Sequence, residues 1–170
     1  MNPIRLTSSQ SPVYNNFTES YRSSFPMYEQ RTSEQQHYAF SRDEYHLDIY
    51  TTEKEEYIGF LSYWDFDAYI YIEHFAIDAG KRGTGYGKEL LADFLHSCGK
   101  TVVLEIDPVV DEISARRLRF YQSLGFVRSS RKHIHPPYRR GYEGHSLEVV
   151  SYPNVLSQAE YDQFKEDLSV

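Results

Sequence analysis

The spacing of apolar residues divides the chain into short segments of two periods. Ile4-Arg5-Leu6-Thr7 alternates and predicts a brief first strand. Helical spacing follows from about Ser11 to Ser24, with Pro26 as its stop, and a weaker helical pattern covers residues 32–42. Three strands are then predicted in quick succession, at 45–51, 57–64 and 68–77. They are rich in β-branched and aromatic residues, and the links TEKEE and DFD between them are short and charged, as in hairpins. From Tyr86 the period is helical again: Leu90, Leu91, Phe94, Leu95 and Cys98 share one face, and Gly99 is placed to stop the helix. TVVLEID at 101–107 is nearly all apolar, as a strand covered on both faces requires. A helix is predicted from about Glu112 to Leu124, closed by Gly125. Phe126-Val127 begin another strand, and residues 145–152 form a last one. QAEYDQFKEDL at 158–168 has helical spacing with weak caps. This order predicts an α/β class with a mixed sheet, antiparallel strands leading into a central parallel crossover. No linker or repeat divides the chain, so residues 1–170 are expected to form a single domain.

Composition narrows the class of function. Hydrophobic residues make up 40% and charged ones 25%, the profile of a soluble globular protein. The formal net charge of −7 argues against a sequence-independent nucleic-acid binder, which needs a basic surface, and suits a cationic substrate such as an amine. No apolar run is long enough to span a bilayer, and MNPIRLTSSQ lacks the apolar segment of a signal peptide, so no membrane partner is expected. The one cysteine, Cys98, excludes an intramolecular disulfide and fits a reducing compartment; the expectation is a cytoplasmic protein.

One stretch carries chemistry. KRGTGYGKELL at 81–91 places three glycines between a predicted strand and a predicted helix. A helix N-terminus offers N–H groups without intrahelical partners and a dipole that favours negative charge, and glycines let an anion approach the backbone. The alternative is a tight strand-to-helix connection with no ligand. Spacing excludes two phosphate motifs. A P-loop needs Ser or Thr after Gly-Lys, but Gly87-Lys88 is followed by Glu89; the dinucleotide fingerprint needs a third glycine where Lys88 stands. The failed fingerprint, with the antiparallel run before it, disfavours a dinucleotide-binding oxidoreductase. R-x-x-G-x-G remains, at Arg82, Gly85 and Gly87.

Here the chain resembles the GCN5-related N-acetyltransferases (GNAT), whose signature [QR]-x-x-G-x-[GA] cradles the pyrophosphate of acetyl-CoA between the fourth strand and third helix. HFAIDAGKRGTGYGKELL is similar to the family's segment around that signature, and FYQSLGF at 120–126 to its closing signature after the fourth helix. The resemblance covers roughly residues 4–152 and is strongest over 69–127. It implies the acyl-CoA N-acyltransferase fold. The activity it implies is transfer of an acetyl group from acetyl-CoA to a primary amine of a small molecule or peptide, by direct attack in a ternary complex. A catalytically weak CoA-binding or regulatory module of the same fold is the alternative.

Carried over residue by residue, the resemblance makes Tyr121 the general acid near the CoA sulfur. Glu105 matches the proposed base of ribosomal-protein N-terminal acetyltransferases, and Glu73 falls where some members place a glutamate near the amine. A water chain is the other option. Burial of either carboxylate would raise its basicity. Strand alternation puts Glu73 on the face of Tyr71 and Phe75 and His74 on the opposite face. Cofactor contacts are expected at the backbone of Phe75 and Ile77 and at Arg82, Gly83, Thr84, Gly85, Tyr86, Gly87 and Lys88. Ser114 stands where the family often has an asparagine that bonds the pantetheine arm. The substrate side is expected at Tyr28, Glu29 and His74. Cys98, on an apolar helical face, reads as core. His133, His135 and His145 lack an acidic or Cys partner at metal spacing, so no metal is expected and their loop reads as aromatic packing. Oligomeric state stays open; family members commonly form a homodimer through C-terminal strands.

Overall fold

A computed structural model describes residues 3–168. Two compact units share the chain, Met1–Lys100 and Thr101–Val170.

In the first unit, β1 (Ile4–Leu6), β2 (Tyr45–Thr51), β3 (Tyr57–Asp65) and β4 (Tyr69–Ile77) pair antiparallel in sequence order. Helices α1 (Tyr14–Ser24) and α2 (Ser33–Phe40) precede β2, and α3 (Tyr86–Cys98) follows β4. α1 ends before Pro26, whose ring cannot continue a helix. α2 begins on a capping box in which Thr32 accepts from the Gln35 N–H and Gln35 reaches back to the Thr32 N–H. Both faces of the strands are covered, which is why β2 reads almost continuously buried. On one face Phe17 of α1 sets its ring edge-on to Phe60 at 4.8 Å, within a core that includes Leu47, Ile49 and Ala76. Leu90, Leu91, Phe94 and Leu95 are the buried side of α3, and the Phe94 ring meets Tyr63 at 4.9 Å.

β4 carries the irregularity that matters most. Ser62 pairs with His74 and Tyr63 with Ile72, so Glu73 is an extra residue, a β-bulge. The bulge breaks the alternation on which the sequence reading relied. Glu73 and His74 do not point to opposite faces: His74 Nδ1 lies 3.9 Å from Glu73 Oε2.

In the second unit, β5 (Thr101–Ile106), β6 (Val127–Arg128) and β7 (His133–His135) each pair antiparallel with β8 (His145–Tyr152). β7 is a strand that the sequence pattern does not predict. Helix α4 (Glu112–Ser123) starts on a box formed by Asp111 and Ser114, and Gly125, at φ +101°, turns the chain out of it. Helix α5 (Gln158–Leu168) buries Tyr161 and Phe164. Among the described residues no helix is long and apolar enough to cross a membrane.

Candidate active site

The glycine stretch forms a turn whose conformation the sequence dictates. Past β4, Asp78 caps a short 3₁₀ turn, Ala79–Lys81, by accepting from the Gly80 N–H. Gly83 and Gly85 then sit at φ +77° and +87°, where a Cβ would be strained. Thr84 Oγ1 donates to the Lys81 carbonyl at 2.6 Å. Gly85 is the N-cap of α3, and its carbonyl accepts the first helical bond, from Glu89 N. The N–H groups of Tyr86, Gly87 and Lys88 belong to the first turn, which has no intrahelical acceptors for them. Arg82 folds back: Nε donates to the Ile77 carbonyl at 2.9 Å and Nη2 to Ser24 Oγ at 3.2 Å. Its side chain therefore ties the turn to the end of β4 and the end of α1. Lys88 is exposed beside the helix start, and Phe75 and Ile77 are half-buried on β4.

On β4, Glu73 is held from two sides. Arg31 Nη1 approaches Oε2 at 2.6 Å, and Trp64 Nε1 donates to Oε1 at 2.6 Å. The Arg31 and Glu73 side chains are 5% and 7% exposed. Arg31 also donates from Nε to Gln36 Oε1 (3.0 Å) and from Nη2 to the Tyr45 hydroxyl (2.8 Å). His74 donates from Nε2 to the Glu29 carbonyl at 2.9 Å, and its Nδ1 faces Arg31 Nη1 at 3.5 Å. The rings of Tyr21 and Phe25 stand edge-on to His74, each at 4.8 Å. Burial pushes the Tyr21 phenol up, so it stays protonated. The network pins residues 29–31 to the bulge, while Tyr28 beside them is 40% exposed.

A second carboxylate cluster lies in the other unit. Glu105 of β5 accepts at Oε2 from His133 Nε2 at 2.6 Å, and His133 Nδ1 lies 2.8 Å from the Tyr161 hydroxyl. His135 Nε2 is 3.8 Å from Glu105 Oε1, and His135 Nδ1 donates to the Pro136 carbonyl. The Tyr138 ring stacks on His135 at 4.8 Å, the aromatic packing expected of this loop. Burial, then the neighbouring His135, lowers the basicity of His145. Among the described residues no group of three or more His, Cys, Asp or Glu side chains is arranged to hold a metal ion.

Tyr121 of α4 is buried against Phe120 and Phe126, and burial pushes its phenol up to about 12, with Arg117 pulling the other way. Its phenol therefore stays protonated near neutral pH. Ser114 is committed to starting α4. Its hydroxyl donates to Asp111 Oδ1 at 2.7 Å and accepts from Val110 N at 2.9 Å. Arg117 and Arg119 are paired on the surface with Asp107 and Glu112.

The expected residues thus fall into local groups: Arg82 to Lys88 on one turn, Glu73, His74 and Glu29 in one network, Glu105 in another. Arg31, Trp64 and Tyr161 complete those networks and were not singled out from sequence; His133 was, but as aromatic packing rather than as the partner of Glu105. Arg31 lies two positions beyond Glu29, which the resemblance places on the substrate side, and that proximity was the only signal pointing to it.

Comparison with known proteins follows the same lines. The model of the Acetyltransferase (GNAT) family matches residues 11–126. YjbC of Bacillus subtilis (strain 168), a candidate acetyltransferase, is 31% identical over 102 residues, 59% of this chain and 48% of its own length. The match thus spans about half of that relative. A candidate acetyltransferase of the GNAT family from Bacteroides thetaiotaomicron superposes with a TM-score of 0.90 at 30% identity, over 99% of this chain and 96% of that one. A spermidine N-acetyltransferase from Vibrio cholerae, solved with CoA and spermine, gives 0.63 at 11% identity over 94% and 97%, a likeness of fold.

Proposed function

Because the chain belongs to the GNAT acetyltransferase family, we propose that it transfers an acetyl group from acetyl-CoA to a primary amine of a small molecule or peptide. Attack is direct, within a ternary complex. The observation that carries this reading is the glycine turn at 83–87, whose positive-φ residues open onto the first turn of α3. Its N–H groups suit the CoA diphosphate, and Lys88 adds charge. Arg82 contributes by bracing the turn. Phase by phase, a base takes one proton from the ammonium and the amine nitrogen attacks the thioester carbon. Negative charge forms on the carbonyl oxygen. The C–S bond then breaks as Tyr121 gives its proton to the sulfur, and the second proton of the nitrogen passes to the tyrosinate and restores the phenol. The backbone at Phe75 and Ile77 borders the acyl arm. Ser114, occupied by Asp111, acts there through the start of α4 rather than by its own hydroxyl.

We assign the base to Glu105. Protonating Glu73 would leave the buried Arg31 guanidinium without its counter-charge. Protonating Glu105 keeps its short bond to His133, because an imidazole N–H can donate to a carboxylic acid as well as to a carboxylate. Glu73 then serves the acceptor side by fixing Arg31, His74 and Glu29, with Tyr28 exposed beside them. A relative in this fold acts on spermidine, which makes a polyamine one amine to try on an acidic protein of net charge −7. The single cysteine suits action in the cytoplasm, and pairing of two copies through C-terminal strands is a further expectation.

The test is calorimetric titration with acetyl-CoA, with NADH and ATP as controls, followed by CoA release with spermidine, an aminoglycoside and a peptide bearing a free α-amine. Micromolar binding of acetyl-CoA alone and amine-dependent CoA release are expected. Binding without release for any amine would favour the regulatory module; no binding would overturn the reading.

A further inference from the structure

The second unit contains a buried chain of three titratable groups that joins a strand, a hairpin and the C-terminal helix. Glu105 comes from β5, His133 from β7 and Tyr161 from α5. The His133 and Glu105 side chains are 1% and 6% exposed. A ring nitrogen 2.6 Å from a carboxylate oxygen carries the hydrogen between them, so Nε2 is the donor. Nδ1, 2.8 Å from the Tyr161 hydroxyl, accepts from it in the neutral ring; the hydroxyl's other acceptor, the Lys132 carbonyl, is farther away at 3.4 Å. Phe164 stacks on the imidazole at 5.6 Å, which fixes its plane. Tyr161 is itself braced, with the Arg131 guanidinium 5.3 Å and the Lys165 ammonium 5.9 Å from its ring centroid.

We propose that His133 is a positioning residue for Glu105, and that Tyr161 of α5 keeps the imidazole hydrogen on the nitrogen that faces the carboxylate. A glutamate side chain has three rotatable bonds, so a base built on one needs a fixed partner to keep its direction. An arginine partner would demand that the carboxylate remain charged, whereas a neutral imidazole donor holds it in both protonation states. The C-terminal helix is thereby part of the proton-accepting apparatus. The proposal rests on Glu105 being the base.

Turnover of acetyl-CoA with the amine found in the panel is measured for Glu105→Gln, His133→Leu, His133→Gln and Tyr161→Phe, together with acetyl-CoA affinity by calorimetry. Loss of about tenfold or more in kcat is expected for His133→Leu, with acetyl-CoA affinity kept. His133→Gln, whose amide reproduces the Nε2–H donor, should recover most of that loss. In nitrogen-15 spectra of the wild-type protein without any substrate, His133 should carry its hydrogen on Nε2, and Tyr161→Phe should weaken that preference. If Glu105→Gln is inactive while His133→Leu turns over like wild type, the positioning role is overturned and the base assignment stands. Equal losses for His133→Gln and His133→Leu, or a hydrogen found on Nδ1, overturn it as well. A Glu105→Gln enzyme as active as wild type, or no amine-dependent turnover at all, overturns the base assignment and this proposal with it.

Discussion

Arg31 and Glu73 illustrate how much of a site is decided by contacts that no motif encodes. Their side chains are almost wholly removed from water, so the carboxylate is the nearest compensation for the guanidinium. Glu73→Gln should destabilise the protein by about 3–5 kcal/mol, because a buried charge is left without its partner. The check is the midpoint of urea unfolding at constant slope; an unchanged midpoint would mean the pair contributes nothing net. Tyr121 behaves differently. Its phenol, pushed up to about 12, keeps its proton. Tyr121→Phe is expected to lower kcat about a hundredfold or more while acetyl-CoA affinity changes little. Equal turnover in the variant would remove it from the proton-donor role. Tyr121 and the glycines were legible because they belong to short signatures. Arg31 and Trp64 were not, since each meets Glu73 only after the chain has folded. His74 was read onto the wrong face because a period of two holds only until a bulge adds a residue, and nothing in IYIEHFAI announces one.

Elements were easier to read than contacts. The helix over 86–98 and the strands at 45–51 and 145–152 lie where the periodicity predicts. β7 was missed because three residues followed by Pro136 and Pro137 give too short an alternation to recognise. Helix α4 shows how a local signal sets an element: Asp111 accepts from the Ser114 N–H and hydroxyl, and these bonds hold its carboxyl below the ordinary 3.8. A carboxyl depressed by folding stabilises fully above its unfolded value and loses that contribution as pH falls through the folded one. The gap in thermal midpoint between wild type and Asp111→Ala should therefore be present near neutral pH and shrink on acidification through the range below 3.8. A gap independent of pH would indicate that the cap acts through something other than its charge.

At the scale of the molecule, the order of strand and helix periods led to the α/β class, and two short signatures in the right order led to the N-acyltransferase fold that the Bacteroides relative shares over nearly its full length. Fold follows from such patterns because the same layers can be built by many sequences. The acceptor amine does not, because its pocket depends on side-chain placement around loops such as 24–31. A ligand that binds only the native state raises stability by about 2.7 kcal/mol when present at a hundred times its Kd. Acetyl-CoA should accordingly raise the thermal midpoint, NADH should not, and Gly85→Glu, which sets a carboxylate at the proposed anion site, should abolish the shift. A shift of equal size in that variant would move the cofactor site elsewhere.

The buried pair at Arg31 and Glu73 also constrains how this sequence can drift. Either residue changed alone breaks a buried ion pair, yet both exchanged together for apolar side chains of similar volume, such as Arg31→Met with Glu73→Leu, should recover most of the stability that each single change loses. The two positions are epistatic: neutral substitution passes around them one residue at a time but can cross them only as a couple. The bulge is therefore inherited as a unit with the loop that Arg31 anchors.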